Sequence, residues 1–247
     1  FTGKQKIMKI EGGYNGNQFT ATVQVNTDGT AVCNYGIARA STGTNTALDH
    51  VVAEALGIDI ANVYTGEIGN SDVTGYGGNQ AGSRATSSNS PAAYLAAIDC
   101  LDQLKANAAK TLKTTADQLD AADGKIFLKS DPTKFVTHGE ATGGIPIAGK
   151  GKNWADSLRV EVNGVAAGTP ATSRTYIASA VEIAVDQETG QFEILDWVET
   201  GAFGRIAFRH GAESTIHAAM EMQFSIASFW EQLFCPTTAG TLNADYI

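Results

Sequence analysis

The run Gly82-Ser83-Arg84-Ala85-Thr86-Ser87-Ser88-Asn89 constrains this chain most, because it closes a glycine-dense loop and opens an alanine-rich helix. Asn89 or Ser90 is placed to cap, Pro91 suits a first turn, and Ala93, Leu95, Ala96, Ile98, Leu101 and Leu104 recur at helical spacing. Hydroxyls, backbone N–H groups, one guanidinium and a helix N-terminus thus meet in one short stretch. An anion fits such a place, since first-turn N–H groups lack intrahelical partners and carry the positive end of the helix dipole. The stretch reads as a phosphate or pyrophosphate seat, weighed against the plainer reading of a capped helix after a Gly/Ser loop.

At 247 residues, 43% hydrophobic and 17% charged, the chain is globular and holds one large domain or two smaller ones. A net charge of −9 and a pI near 4.9 argue against nucleic acid or an anionic membrane as the main partner. No run approaches the ~20 apolar residues that span a bilayer. No secretory signal is evident, and Phe1 is expected to follow a processing site or an earlier part of a longer product. Cys33, Cys100 and Cys235 are odd in number and far apart, with no C-x-x-C, so this chain alone builds neither a zinc site nor an iron–sulfur cluster. A reducing compartment is the simpler expectation, cytoplasmic unless a partner subunit carries an export signal to the periplasm. His50, His138, His210 and His217 have no metal-ligand spacing and read as structural. No metal ligand is assigned to the chain.

Periodicity predicts a hairpin first. Phe19–Val25 alternates, Asn26-Thr27-Asp28-Gly29 turns, and Thr30–Tyr35 returns. A small-residue loop, Gly36–Thr46, leads to a helix ending at Leu56, with Leu48, Val51, Val52 and Ala55 on one face and Gly57 as its stop. A short strand is expected over Asn62–Gly66, and a loop over Gly69–Gln80, where glycine lets the backbone come close to a ligand. The next helix is expected over Asn89–Ala109, followed by a short helix over Thr114–Ala122 and a strand over Gly124–Leu128. Residues 130–157, rich in Gly, Lys, Pro and Asp, read as a long loop or boundary between a lobe of residues 1–129 and one of 130–247. A second hairpin follows, Tyr176–Val185 with Gln191–Val198, and then a helix over His210–Phe234 whose Ile216, Met220, Phe224, Ala227 and Phe234 read as core. The fold class expected is α+β, with mixed sheets flanked by helices in two lobes.

Two nucleotide motifs fail. Gly144-Ile145-Pro146-Ile147-Ala148-Gly149-Lys150 mimics a P-loop, but Gly151 stands where a Ser or Thr must reach magnesium. Gly75-x-Gly77 is followed by Gln80 where a dinucleotide fingerprint needs its third glycine. No Gly-x-Ser-x-Gly elbow is present, so covalent catalysis is unsupported and the catalytic residue is unassigned.

What remains is an order of elements. Asp28-Gly29, the stretch from Gly36 to Gly43-Thr44-Asn45-Thr46, Ala53-Glu54-Ala55-Leu56-Gly57-Ile58, Asp72, and Gly82-Ser83-Arg84-Ala85-Thr86 occur in turn. Val181-Glu182-Ile183-Ala184-Val185-Asp186 with Thr189-Gly190, Gly204-Arg205-Ile206, the late helix and Leu242-Asn243-Ala244-Asp245-Tyr246 follow. This succession resembles the molybdopterin-binding large subunit of the molybdenum hydroxylases, the xanthine dehydrogenase and aldehyde oxidoreductase family, in its C-terminal part.

The resemblance implies a site residue by residue. Ala81, Gly82, Ser83, Arg84, Ala85 and Thr86 match the stretch that holds the pterin's phosphate end. Ser41-Thr42-Gly43 matches a Gly-Gln-Gly loop whose glutamine bonds the pterin, with Thr42 in the glutamine's place. Thr215 stands where a glutamine heads the late helix, and Met222 where a second glutamine is common, with Gln223 adjacent. The family's early glycine-rich loop and its Gly-Val-Gly-Glu general-base segment are not in this sequence. It is therefore expected to be a truncated piece, one subunit of a split enzyme, or a paralogue that has lost catalytic parts. Glu213 and Glu221 read as solvated helix carboxylates rather than replacements.

The implied cofactor is molybdopterin, as mononucleotide or dinucleotide, with molybdenum. The implied reaction is hydroxylation of an aldehyde or N-heterocycle with water as oxygen source. Partner chains are expected to carry 2Fe–2S clusters and FAD or haem: an iron–sulfur subunit, a flavin or cytochrome subunit, and another molybdopterin-binding chain. Two alternatives stand beside this reading, a degenerate non-catalytic scaffold subunit and an unrelated module for a phosphorylated ligand.

Overall fold

A computed structural model describes residues 18–40, 42–70, 72–74, 80, 85–154, 176–231 and 233–240. Its contacts divide the chain into two units, Phe1–Ser173 and Arg174–Ile247. This division falls C-terminal to the boundary expected within residues 130–157. Residues 131–154 are not a linker, because they supply strands to both sheets of the first unit.

The first unit begins with the expected hairpin, β1 (Gln18–Val25) and β2 (Ala31–Tyr35). Asp28 closes its turn by accepting from the N–H and hydroxyl of Thr30, at 2.9 and 2.7 Å. Helix α1 (Thr44–Leu56) then crosses over to β3 (Val63–Ile68), which lies parallel to β2. Gly57 ends α1 in the left-handed conformation, with φ 68°, and its N–H bonds back to Ala53 and Glu54. After helix α2 (Ala85–Leu112) come β4 (Leu119–Ala122), β5 (Lys125–Leu128) and β6 (Asp131–Thr137), which form an antiparallel three-stranded sheet. The short helix α3 (His138–Ala141) leads to β7 (Ile147–Trp154), which pairs antiparallel with β1. The main sheet therefore runs β3-β2-β1-β7, a mixed sheet flanked by helices, as the α+β expectation requires.

Two local readings change, and the rejected P-loop-like stretch finds another use. The helix expected over Thr114–Ala122 is a 3-10 turn, Ala116–Gln118, running into β4, because Leu119–Ala122 finds a partner in Lys125–Leu128. Of the glycines of Gly144–Lys150, Gly149 serves packing, since a Cβ there would lie 2.1 Å from the Ala96 carbonyl of α2, whereas Gly144 turns the chain at φ 86°. Helix α2 starts at Ala85, a turn before the expected cap, so Pro91 falls inside it. The side chains of Asn89 and Ser90 donate back to the Ala85 and Thr86 carbonyls at 2.7 Å each, which ties that extra turn to the rest of the helix.

The core lies between the main sheet and the two long helices. Ala21, Val23 and Val25 of β1 and Ala31, Cys33 and Tyr35 of β2 alternate inward against Leu48, Val52 and Leu56 of α1. Alanines 92, 93, 96 and 97 give α2 a flat face that the sheet approaches closely. The Cys100 thiol donates to the Val23 carbonyl at 3.2 Å.

In the second unit β8 (Tyr176–Val185) and β9 (Phe192–Ala202) form the expected hairpin. Helix α4 spans Arg209–Ser228, ending before the Phe234 expected at its close. The Phe192 and Phe224 rings meet edge to face with centroids 6.1 Å apart. The stripe read as core is at most half-buried, since no residue of α4 is withdrawn from solvent.

Candidate functional site

The decisive geometry is the β2–α1–β3 unit. Because β2 and β3 are parallel and adjacent, the segments leaving their carboxyl ends emerge at one edge of the sheet. The segment after β2 enters α1, and the segment after β3 leads on to α2. Two helix N-termini are thereby fed from a single sheet edge, where ligands of such sheets collect. The sequence pattern marked both loops but not the parallel pairing that brings them together.

At the first loop, Thr42 is exposed and its hydroxyl lies 2.9 Å from that of Thr44. Gly43 caps α1 with φ 68°, a conformation that suits glycine, and no side chain among the described residues bonds the cap. At the second loop, Ala85 and Thr86 form the first turn of α2, so their N–H groups belong to the set that the helix leaves unpaired. Ala81, Gly82, Ser83 and Arg84 lie outside the described residues, as does Ser41. Thr215 belongs to α4 of the second unit, where its hydroxyl donates to the Gly211 carbonyl of its own helix at 2.8 Å.

Two residues escaped the sequence reading. Asn89, taken for a cap, is 1% exposed and its Oδ1 has no hydrogen-bond partner. Gln80, at the end of a glycine loop, joins the loop after β2 through hydrogen bonds to Ala38. Nothing in their spacing distinguished either from an ordinary loop or cap residue.

Behind this edge a buried polar cluster ties the crossover together. Tyr35 of β2 donates to Asp49 of α1 at 2.8 Å, and Thr65 of β3 donates to the other carboxylate oxygen. Burial pushes the Asp49 carboxyl above its ordinary value, and the two hydroxyl donors oppose that shift. Burial also pushes the Cys33 and Cys100 thiols up to about 12, so both remain protonated packing groups. Among the described residues no three His, Cys, Asp or Glu side chains are placed to hold a metal ion.

The sequence pattern of the molybdopterin cofactor-binding domain family matches residues 2–240. The chain belongs to that family. Solved structures share the fold of this molybdopterin-binding domain at low identity. CO dehydrogenase from Oligotropha carboxidovorans superimposes with a TM-score of 0.73 at 20% identity, covering 91% of this chain and 27% of that one. Quinoline 2-oxidoreductase from Pseudomonas putida 86 gives 0.72 at 16%, covering 89% and 28%. Aldehyde oxidoreductase from Desulfovibrio desulfuricans ATCC 27774 gives 0.55 at 17%, covering 85% and 20%. The domain thus spans about a quarter of the length of the first two chains. No curated protein sequence matches it.

The residues present fit such a cofactor. A pterin with a phosphate tail needs donors for phosphate oxygens and both donors and acceptors for its ring edge. The first turn of α2 supplies N–H groups, Thr42 and Thr86 supply hydroxyls, and Asn89 Oδ1 is a buried acceptor still lacking a donor.

Proposed function

We propose that this domain grips the distal pterin and its phosphate end within a molybdenum-dependent oxidoreductase assembly. The observation that carries the proposal is the parallel β2–α1–β3 unit, which feeds two helix entries from one sheet edge in a molybdopterin-binding domain. Thr86 and the first-turn N–H groups of α2 hold phosphate oxygens, with Ala81, Gly82, Ser83, Arg84 and Ala85 completing the seat. Thr42 and the Gly43 backbone bond the pterin edge at the entry to α1. When bound, the cofactor supplies the redox and oxygen-transfer chemistry, and the domain supplies position and hydrogen bonds.

The reaction proposed is hydroxylation of an aldehyde or N-heterocycle with water as oxygen source. The cofactor is a mononucleotide or a dinucleotide. 2Fe–2S clusters, FAD or haem, and a second molybdopterin-binding chain are assigned to partner subunits, and the assembly to the cytoplasm or periplasm. No helix among the described residues is long and apolar enough to cross a membrane.

Elemental mass spectrometry and released-pterin fluorescence on the purified native assembly test this reading. Molybdenum and pterin are expected near one equivalent each, and replacing Ser83 and Thr86 together by Ala is expected to lower both about tenfold, two hydrogen bonds being lost. An intact assembly with neither metal nor pterin would leave the scaffold alternative as the better account.

A further inference from the structure

We infer that Gln80 is a positioning residue, a brace that fixes the spacing between the two segments gripping the cofactor; the inference rests on the reading just proposed. The Gln80 carboxamide accepts from the Ala38 N–H at 2.7 Å and donates to the Ala38 carbonyl at 3.3 Å. Ala38 lies in the segment from β2 into α1, and Gln80 in the segment from β3 into α2. Both bonds go to one residue. A planar amide that exchanges N–H and C=O with a single residue reproduces the hydrogen-bonded pair of antiparallel strands. One side chain therefore does between two loops what a strand does between two sheet positions.

The residue type is specific to that task. Glutamate at the same reach accepts but does not donate, alanine does neither, and asparagine is one methylene shorter. The need is also physical. Gly75, Gly77 and Gly78 precede Gln80, and glycine loses more conformational freedom on ordering than any other residue. Holding Gln80 and Ala38 together before a ligand arrives strengthens binding without touching the ligand. Gln80 is only half-buried and belongs to no helix, strand or core cluster, so its removal leaves the packing of α1 and α2 on the sheet intact.

The test compares wild type, Gln80→Ala and Gln80→Glu in the native assembly. It uses hydrogen exchange at the Ala38 amide, the rate of pterin loss followed by fluorescence, and thermal unfolding. Exchange at Ala38 is expected about tenfold faster in Gln80→Ala and near wild type in Gln80→Glu, whose carboxylate still accepts. Pterin loss is expected about tenfold faster in Gln80→Ala and intermediate in Gln80→Glu, with Tm unchanged within about 2 °C. Unchanged exchange at Ala38 in Gln80→Ala would overturn the brace. Faster exchange with wild-type pterin retention would overturn its positioning role, as would equal pterin loss in both variants that tracks a fall in Tm. A wild-type assembly without pterin would instead overturn the cofactor reading, and the exchange measurement would still decide whether Gln80 orders the loop.

Discussion

In the first unit Leu48, Leu56, Leu104, Leu119 and Ile126 are fully withdrawn from solvent, whereas in the second unit no described residue is buried. Yet Ile177, Val181, Ile183 and Val185 share one parity of Tyr176–Val185, as Phe19, Ala21, Val23 and Val25 do in Gln18–Val25. Periodicity identifies which side of an element is apolar, and only an opposing surface closes that side. In the first unit α1 and α2 provide the surface, helped by alanines and by Gly149 where β7 meets α2. In the second, the hairpin and α4 meet through ring contacts such as Phe192 with Phe224.

The largest test of this contrast is Gly149→Val. Its side chain would press on the Ala96 carbonyl and the Cys100 backbone, and a loss of about 3 kcal/mol is expected in urea unfolding, since backbone cannot yield as a side chain does. Asp49 offers a second, pH-resolved test. Its carboxyl titrates above the ordinary 3.8 in the folded chain, so the folded state holds the proton more tightly than the unfolded one. The stability it contributes is full below 3.8 and is lost as pH rises through the folded value. Asp49→Asn removes the ionising group and is expected to flatten the fall in the urea midpoint above pH 3.8. The smallest effect is expected from Phe229→Ala in the second unit. Phe229 is 75% exposed and touches Phe224 edge to face, so a loss of about 1 kcal/mol or less is expected by the same unfolding measurement. A Phe229→Ala loss equal to that of Gly149→Val would break the contrast.

Elements with a strong local signal were legible: both hairpins, α1 with its Gly57 stop, and a long α2. The start of α2 was misread because Asn89 and Ser90 satisfy helix carbonyls from within, while the same residue types signal a cap from outside. Residues 131–154 looked like a linker because glycine and lysine on edge strands weaken the alternation that marks a strand. At the candidate site, the hydroxyl-rich entry to α2 was readable, since its donors are adjacent in sequence. The parallel pairing of β2 with β3, the orphaned Asn89 acceptor and the Gln80–Ala38 bonds were not, because each depends on residues that meet only once the chain has crossed over.

The pairing of β1 with β7 also bears on how the chain is made. Residues 18–25 leave the ribosome before their partner strand, residues 147–154. Until then the outer edge of β1 is an open template, and α2 lacks the strand that Gly149 fits against it. The sheet cannot close by neighbour-to-neighbour steps, so this unit is a slow, late folder that exposes a sticky strand during synthesis. Shielding that edge while the remaining chain is translated is expected to raise the folded yield.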